Sequence, residues 1–172
     1  MKKSLFTYII IVFLVLLLQA TVFNNIFILG IRPNFVLVLV ISIAIVAGSF
    51  QGSVVGFFAG FFMDMFFTSD IGFYSLLMLY IGLFAGMVNK KMYKESVIIA
   101  MLLTFILTFV YEFSVYFLGI FIWGERNLIY ATKDIILKEA LINSILAIFV
   151  YVFIVKISYY IKTSKELQSR FR

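Results

Sequence analysis

The chain has 172 residues, of which 65% are hydrophobic and 13% are charged, and its formal net charge at pH 7 is +6. A soluble domain is usually about half apolar and about a quarter charged, so this composition excludes a soluble globular fold and predicts a membrane protein. The sequence has no Cys and no His. It therefore excludes disulfides and thiolate chemistry, and it argues against a His base and most zinc, haem and iron sites.

The apolar segments predict an all-α integral membrane protein, a compact bundle of six transmembrane helices. The first segment is expected to be an uncleaved anchor, because no small-residue cleavage site follows it. The apolar stretch 35–67 would be about 50 Å long as one helix, well beyond a hydrocarbon core of about 30 Å. A glycine-containing break over 48–52 divides it into two short spans. The six predicted spans are 4–23, 35–47, 53–67, 71–88, 97–118 and 140–161, in a single polytopic domain over 1–172.

Basic residues orient the six spans with both termini in the cytoplasm. With the N-terminus inside, ten of the 14 Lys and Arg residues lie on inner segments and four on outer ones. A five-span arrangement gives nine against five at best, and only with the N-terminus outside. The inner residues expected to contact the cytoplasm or anionic lipid headgroups are Lys90, Lys91, Lys94, Lys162, Lys165, Arg170 and Arg172.

Glycines recur at helical spacing in the middle of the chain. Residues four apart share a helix face, and small residues on such a face let two helix backbones approach closely in lipid. Packing inside one chain is favoured over a dimer seam, because a multi-span bundle needs such faces internally. The glycine row is Gly48, Gly52, Gly56 and Gly60, with Asp64 as its next member, and Gly82 and Gly86 repeat the spacing in the fourth predicted span.

Two acids, Asp64 and Glu112, lie within predicted spans, where an acid at mid-membrane costs about 3 kcal/mol. In the predicted topology they gather with Asp70 and Glu139 in the outer half of the bundle. Two partners are open for Asp64, namely Arg32, at the same level, and a helix N-terminus. The two acids could form a proton or substrate relay, a catalytic pair or structural pairings.

Catalysis is the least favoured of these roles for the two acids. The Gly-x-Gly-Asp motif of an intramembrane aspartyl protease is missing at Asp64, and no Ser lies in a nucleophile-elbow pattern. We therefore expect structural pairing or a polar site for a partner. The sequence predicts no catalytic, cofactor-binding or metal-binding residue.

The residues from Arg32 to Tyr93 follow a distinctive order. They read Arg-Pro-Asn, an apolar run, a glycine-rich span ending in Asp, a short polar turn with Gly, a second Gly-x-x-x-Gly span and a basic turn. This order resembles the rod shape-determining protein MreD family, over about one third of the chain. The positions that match the family pattern are Arg32, Pro33, Asn34, Gly56, Gly60, Asp64 and Gly72.

The resemblance implies a non-catalytic subunit of the bacterial cell-elongation complex in the cytoplasmic (inner) membrane. Such a subunit would help to position or regulate peptidoglycan synthesis and to maintain cell shape. The implied partners are MreC, MreB, a RodA-type glycosyltransferase and a class B penicillin-binding protein, besides membrane lipids and without nucleic acid. Packing of apolar spans against the MreC anchor helix is the favoured contact, and the outer loop 120–139 is a second candidate.

The alternative is the substrate-binding S component of an energy-coupling-factor vitamin transporter. S components are also small six-span proteins, and we expect the two folds to be similar. Many dock on their transporter through an Ala-x-x-x-Ala face of the first span, but here Ala20 is the only Ala in that span. The outer acids and Trp123 could line a vitamin pocket. A proton-coupled transporter is a third option.

Overall fold

The computed structural model describes residues 2–21, 27–28, 30–67, 72–88, 96–123 and 135–170. Apart from an isolated antiparallel bridge between Ile28 and Ile31, the described residues are organised as helices. Each apolar segment identified in the sequence coincides with one of six helices. They are α1 (Lys2–Thr21), α2 (Phe35–Ala47), α3 (Ser49–Phe67), α4 (Phe73–Met87), α5 (Val97–Trp123) and α6 (Leu137–Arg170).

Three helices contain stretches long and apolar enough to cross a membrane, namely Ser4–Thr21 of α1, Val97–Leu118 of α5 and Leu137–Ile161 of α6. Helices α2 and α4 are apolar but have only 13 and 15 residues. At 1.5 Å per residue they extend about 20 and 23 Å, less than a hydrocarbon core of about 30 Å. The division into six spans stays a prediction.

Helix α2 is the centre of the bundle. It packs against each of the other five helices, and its residues from Val36 to Val46 are all buried. A helix that is apolar on every side is expected to lie in the interior. Helix α1 instead presents one face to the core, formed by Tyr8, Val12 and Leu16 at four-residue spacing. The most extensive helix pairs are α3 with α4 and α5 with α6.

A single residue, Gly48, separates α2 from α3. Its φ of 96° lies in the left-handed region that glycine adopts without steric penalty. Its N–H donates to the Ala44 carbonyl at 2.8 Å, and its carbonyl accepts from the Gly52 N–H at 2.8 Å. The helix resumes at once because that second bond already belongs to the first turn of α3. The predicted break over 48–52 is therefore one residue long, and α3 begins at Ser49 rather than at residue 53.

Candidate functional site

The glycine row of α3 forms a close backbone contact with α4. A Cβ atom added to Gly52 would lie 2.5 Å from the carbonyl oxygen of Gly82. One added to Gly60 would lie 2.5 Å from the Cα of Ser75, and one added to Gly56 would also meet the α4 backbone. Carbon atoms in ordinary contact are about 3.5–4.0 Å apart. Only glycine therefore allows the two helices to pack at this distance.

The order of these contacts shows that α3 and α4 are antiparallel. Gly86 lies against Ser49 at the start of α3, whereas Gly60 lies against Tyr74 and Ser75 at the start of α4. The interface is internal to the chain, as expected for a bundle held by small residues. Five of the six glycines predicted for helix packing or partner contact lie in it, namely Gly52, Gly56, Gly60, Gly82 and Gly86, whereas a Cβ added to the sixth, Gly72, would meet nothing within 4 Å.

Asp64, the next residue of the same row, is fully buried and binds the start of α4. Its carboxylate accepts hydrogen bonds from the N–H groups of Gly72 at 3.0 Å, Tyr74 at 2.9 Å and Ser75 at 3.0 Å. It also accepts one from the Ser75 hydroxyl. The first turn of a helix leaves N–H groups without a helical partner, and its dipole favours a negative charge. The sequence left two partners open for Asp64, and the structure shows one of them, a helix N-terminus, namely that of α4.

The cap must come from α3 because the N-cap residue of α4 has no side chain. That residue is Gly72, with φ 113°, and it makes no side-chain cap of its own. The row on α3 therefore has two roles. Its glycines allow the α4 backbone to approach closely, and Asp64 accepts hydrogen bonds from the donors at the start of α4.

Arg32 and Pro33 lie immediately before α2. The Arg32 guanidinium carbon is 4.8 Å from the ring centroid of Phe27, which is a cation–π contact, and the Arg32 side chain is exposed. Pro33 is buried and precedes Asn34, the N-cap residue of α2. The structure thus places Arg32 at the edge of the bundle and Asp64 inside it.

The N-terminus of α2 is held by three side chains from different parts of the chain. The Leu37 N–H donates to Asn34 Oδ1, the Val36 N–H to Gln19 Oε1 of α1, and the Asn34 N–H to Asn143 Oδ1 of α6, each at 3.0 Å. Backbone donors at membrane depth have no water to bind, so protein groups must satisfy them. The sequence prediction missed Gln19 and Asn143, although each is a polar amide within an otherwise apolar span.

Two further acids meet between α5 and α6. The carboxyl groups of Glu112 and Glu139 are electrostatic neighbours, and Glu139 is only 8% exposed. The Tyr111 hydroxyl is an electrostatic neighbour of Glu112, Glu139 and Asp64. The Tyr111 ring centroid is 6.4 Å from that of Tyr74. Asp64, Glu112 and Glu139 therefore lie toward the same end of the bundle.

The seven basic residues predicted to contact the cytoplasm or lipid headgroups fall into two groups. Lys162, Lys165 and Arg170 lie on α6 beyond Ile161, where its apolar stretch ends. The others lie outside the described residues, together with Asp70 and most of the outer loop 120–139; they are Lys90, Lys91, Lys94 and Arg172.

Within the part of the chain that the structure describes, no group of three or more His, Cys, Asp and Glu side chains could hold a metal ion. The hydrogen bonds that join helices instead serve the N-termini of α2 and α4. Together with the three apolar helices, they define a helical membrane protein.

The model of one family, rod shape-determining protein MreD, matches residues 1–160, and the chain belongs to that family. The resemblance noted from Arg32 onward is thus confirmed. No curated protein and no solved structure matched the chain. The expected similarity to S components stays a prediction. Membership implies a role in rod-shape determination, in a family of structural membrane proteins that is not known as catalytic.

Proposed function

We propose that this chain is a six-span subunit of the rod complex in the bacterial inner membrane, with both termini in the cytoplasm. It binds MreC within the membrane and helps to position or regulate peptidoglycan synthesis together with MreB, a RodA-type glycosyltransferase and a class B penicillin-binding protein. Family membership supports the assignment to rod-shape determination. The excess of basic residues on the inner segments supports the orientation.

The capped short helices support six spans. Helices α2 and α4 are shorter than the hydrocarbon core, so at least one end of each lies at membrane depth. The donors at the start of α2 and of α4 are satisfied by side chains, as a low-dielectric surrounding requires. Because their N-terminal donors are satisfied by side chains, α2 and α4 are compatible with spans that begin below the membrane surface.

The observation that carries the MreC contact is the chemistry of the bundle exterior. The hydrogen bonds that join helices and the glycine rows are internal to the bundle, whereas the exposed residues of the long helices are mostly apolar. A partner that recognises such faces must do so through shape and apolar packing within the membrane, which suits the anchor helix of MreC. Outward-facing residues include Ile10 and Leu14 of α1, Leu102 and Ile106 of α5, and Ile145 and Phe149 of α6.

Co-purification with MreC in detergent tests this proposal. We expect full-length MreC to be recovered with the tagged chain, and MreC without its anchor helix not to be recovered. Three single variants, Leu14→Trp, Ile106→Trp and Ile145→Trp, each add bulk to one outward face, so only the variant on the contact face should lower recovery. Loss of co-purification together with tight binding of a vitamin would contradict the proposal and favour the S-component alternative.

A further inference from the structure

The segment before α2 contains a tight turn at the surface of the bundle. Ile28 and Ile31 exchange backbone hydrogen bonds of 2.9 and 3.0 Å, and Gly30 between them has a φ of 79°. A Cβ atom added to Gly30 would meet nothing within 4 Å. The Ile31 side chain is buried, which joins the turn to the bundle. The turn therefore has a defined shape and an open apex.

Three exposed side chains of this turn combine apolar groups with one positive charge. Phe27 is 54% exposed and Ile28 is 38% exposed, although both are large and apolar. The Arg32 guanidinium carbon lies 4.8 Å from the centroid of the Phe27 ring, and Arg32 is exposed as well. Exposed apolar groups beside a basic residue are typical of a surface that meets a lipid headgroup region.

The level of the turn in the membrane follows from α6. The Asn34 N–H donates to Asn143 Oδ1 at 3.0 Å, and Asn143 is six positions after Leu137, where the apolar stretch of α6 begins. At 1.5 Å per residue, α2 therefore starts about 9 Å inside that stretch. Arg32 is two residues before Asn34, so their Cα atoms are at most about 7 Å apart. Arg32 is therefore near the edge of the hydrocarbon region, where lipid headgroups begin.

Within the described residues, Arg32 has no anionic partner at this level. Its guanidinium group stays charged at any physiological pH. It contacts the Phe27 ring and forms no ion pair with a described acid, and the Asp64 carboxylate is bonded to the start of α4. A charge close to hydrocarbon is costly, and a long basic side chain lowers that cost by reaching the level of the lipid phosphates. The planar guanidinium group can donate to two phosphate oxygens at once.

We propose that Phe27, Ile28 and Arg32 form a binding site for the headgroup of an anionic phospholipid. Arg32 donates to the phosphate oxygens, and the two apolar side chains contact the adjoining part of the acyl chains. The Phe27 ring holds the guanidinium group in place, so less side-chain freedom is lost when the lipid binds. In the proposed orientation this site lies in the outer leaflet. It rests on the proposed membrane span of α6 and does not depend on MreC.

Fluorescence quenching by brominated phospholipids tests the site in the full-length protein. The chain has one Trp, so Phe27→Trp in a Trp123→Phe background places a single reporter in the turn. In mixed vesicles we expect brominated phosphatidylglycerol to bind beside the reporter about fivefold more tightly than brominated phosphatidylcholine. Arg32→Gln should remove this preference and retain the quenching. Lys138→Gln, at an exposed cation in the first turn of α6, is the matched control and should retain the preference.

Native mass spectrometry tests the same site in detergent without a reporter. We expect Arg32→Gln to retain one phosphatidylglycerol molecule fewer than the wild type and Lys138→Gln to retain the same number. Displacement of that lipid by an equal concentration of inorganic phosphate would indicate a free-anion site and overturn the proposal.

Two other results would also overturn it. One is a reporter without preference for phosphatidylglycerol together with a wild type that retains none, which would leave a protein partner as the occupant of the turn. The other is lipid binding that is unchanged in Arg32→Gln or reduced equally in Lys138→Gln. Neither measurement contains MreC, so failure of the lipid site and failure of the MreC contact are distinguishable.

Discussion

Replacement of Gly52 by Ala tests whether the close approach of α2, α3 and α4 depends on the missing side chain. The added Cβ would lie 2.5 Å from the Ala44 Cβ, 2.5 Å from the Gly82 carbonyl oxygen and 2.9 Å from the Ala44 Cα. Ordinary contact begins near 3.5 Å, so α3 must move by about 1 Å from both neighbours. Two of the three atoms belong to backbone and cannot rotate away.

The two effects of this substitution have opposite signs. Overpacking of a well-packed interior costs about 1–3 kcal/mol, and the backbone contacts favour the upper part of that range. The higher helix propensity of Ala than of Gly offsets about 1 kcal/mol of this packing cost. We therefore expect Gly52→Ala to lower the free energy of unfolding by about 1–2 kcal/mol, measured by denaturant titration in detergent micelles.

The sign of the change in the free energy of unfolding decides whether packing or helix propensity dominates. Phe50→Ala lies on the same helix, two residues away, at a side chain that is 66% exposed, and serves as the control. It should change the free energy of unfolding by no more than about 0.5 kcal/mol. If Gly52→Ala instead stabilises the protein by about 1 kcal/mol, helix propensity alone is acting and the packing argument is refuted.

Two further predictions concern the charged residues and use the same titration. Asp64→Asn leaves one acceptor oxygen where the start of α4 presents four donors, so it should cost about 2–3 kcal/mol, whereas Ser75→Ala, which removes only one of those donors, should cost about 1 kcal/mol. Equal costs for the two variants would show that the carboxylate is not the cap. In a double-mutant cycle, the effects of Arg32→Ala and Phe27→Leu on the free energy of unfolding should be coupled by about 0.5–1 kcal/mol. In a second cycle, the effects of Arg32→Ala and Asp64→Ala should be additive within about 0.5 kcal/mol. Strong coupling of Arg32 to Asp64 would instead establish the ion pair.

Local spacing explains which parts of the structure could be predicted. The row from Gly52 to Asp64 lies on one helix, and its four-residue period fixes which residues share a face whatever that face contacts. The prediction therefore included a helix N-terminus as a partner of Asp64. The end of α2 was also predictable, because Gly48 permits a backbone conformation that other residues avoid. The four residues after it gave no comparable signal, and α3 began earlier than expected.

Contacts between distant segments could not be derived in this way. Asn143 and Asn34 are 109 positions apart, and nothing in the sequence near either residue indicates the other. The proximity of Glu112 and Glu139 depends likewise on how α5 and α6 are rotated against each other. A polar residue in an apolar span signals that a partner exists, because an unsatisfied group in lipid is costly, but the identity of the partner is a tertiary property.

The two ends of the central bundle are held by different kinds of contact. At the end where α2 and α4 begin, side chains of Gln19, Asn143 and Asp64 bind backbone donors, and each belongs to a different helix. At the other end, where α2 passes into α3, the Gly52 backbone contacts that of Gly82, and Gly86 contacts Ser49. Hydrogen bonds require a fixed direction between donor and acceptor, so they set the rotation of α2. Gln19 and Asn143 therefore link the position of α2 to the positions of α1 and α6.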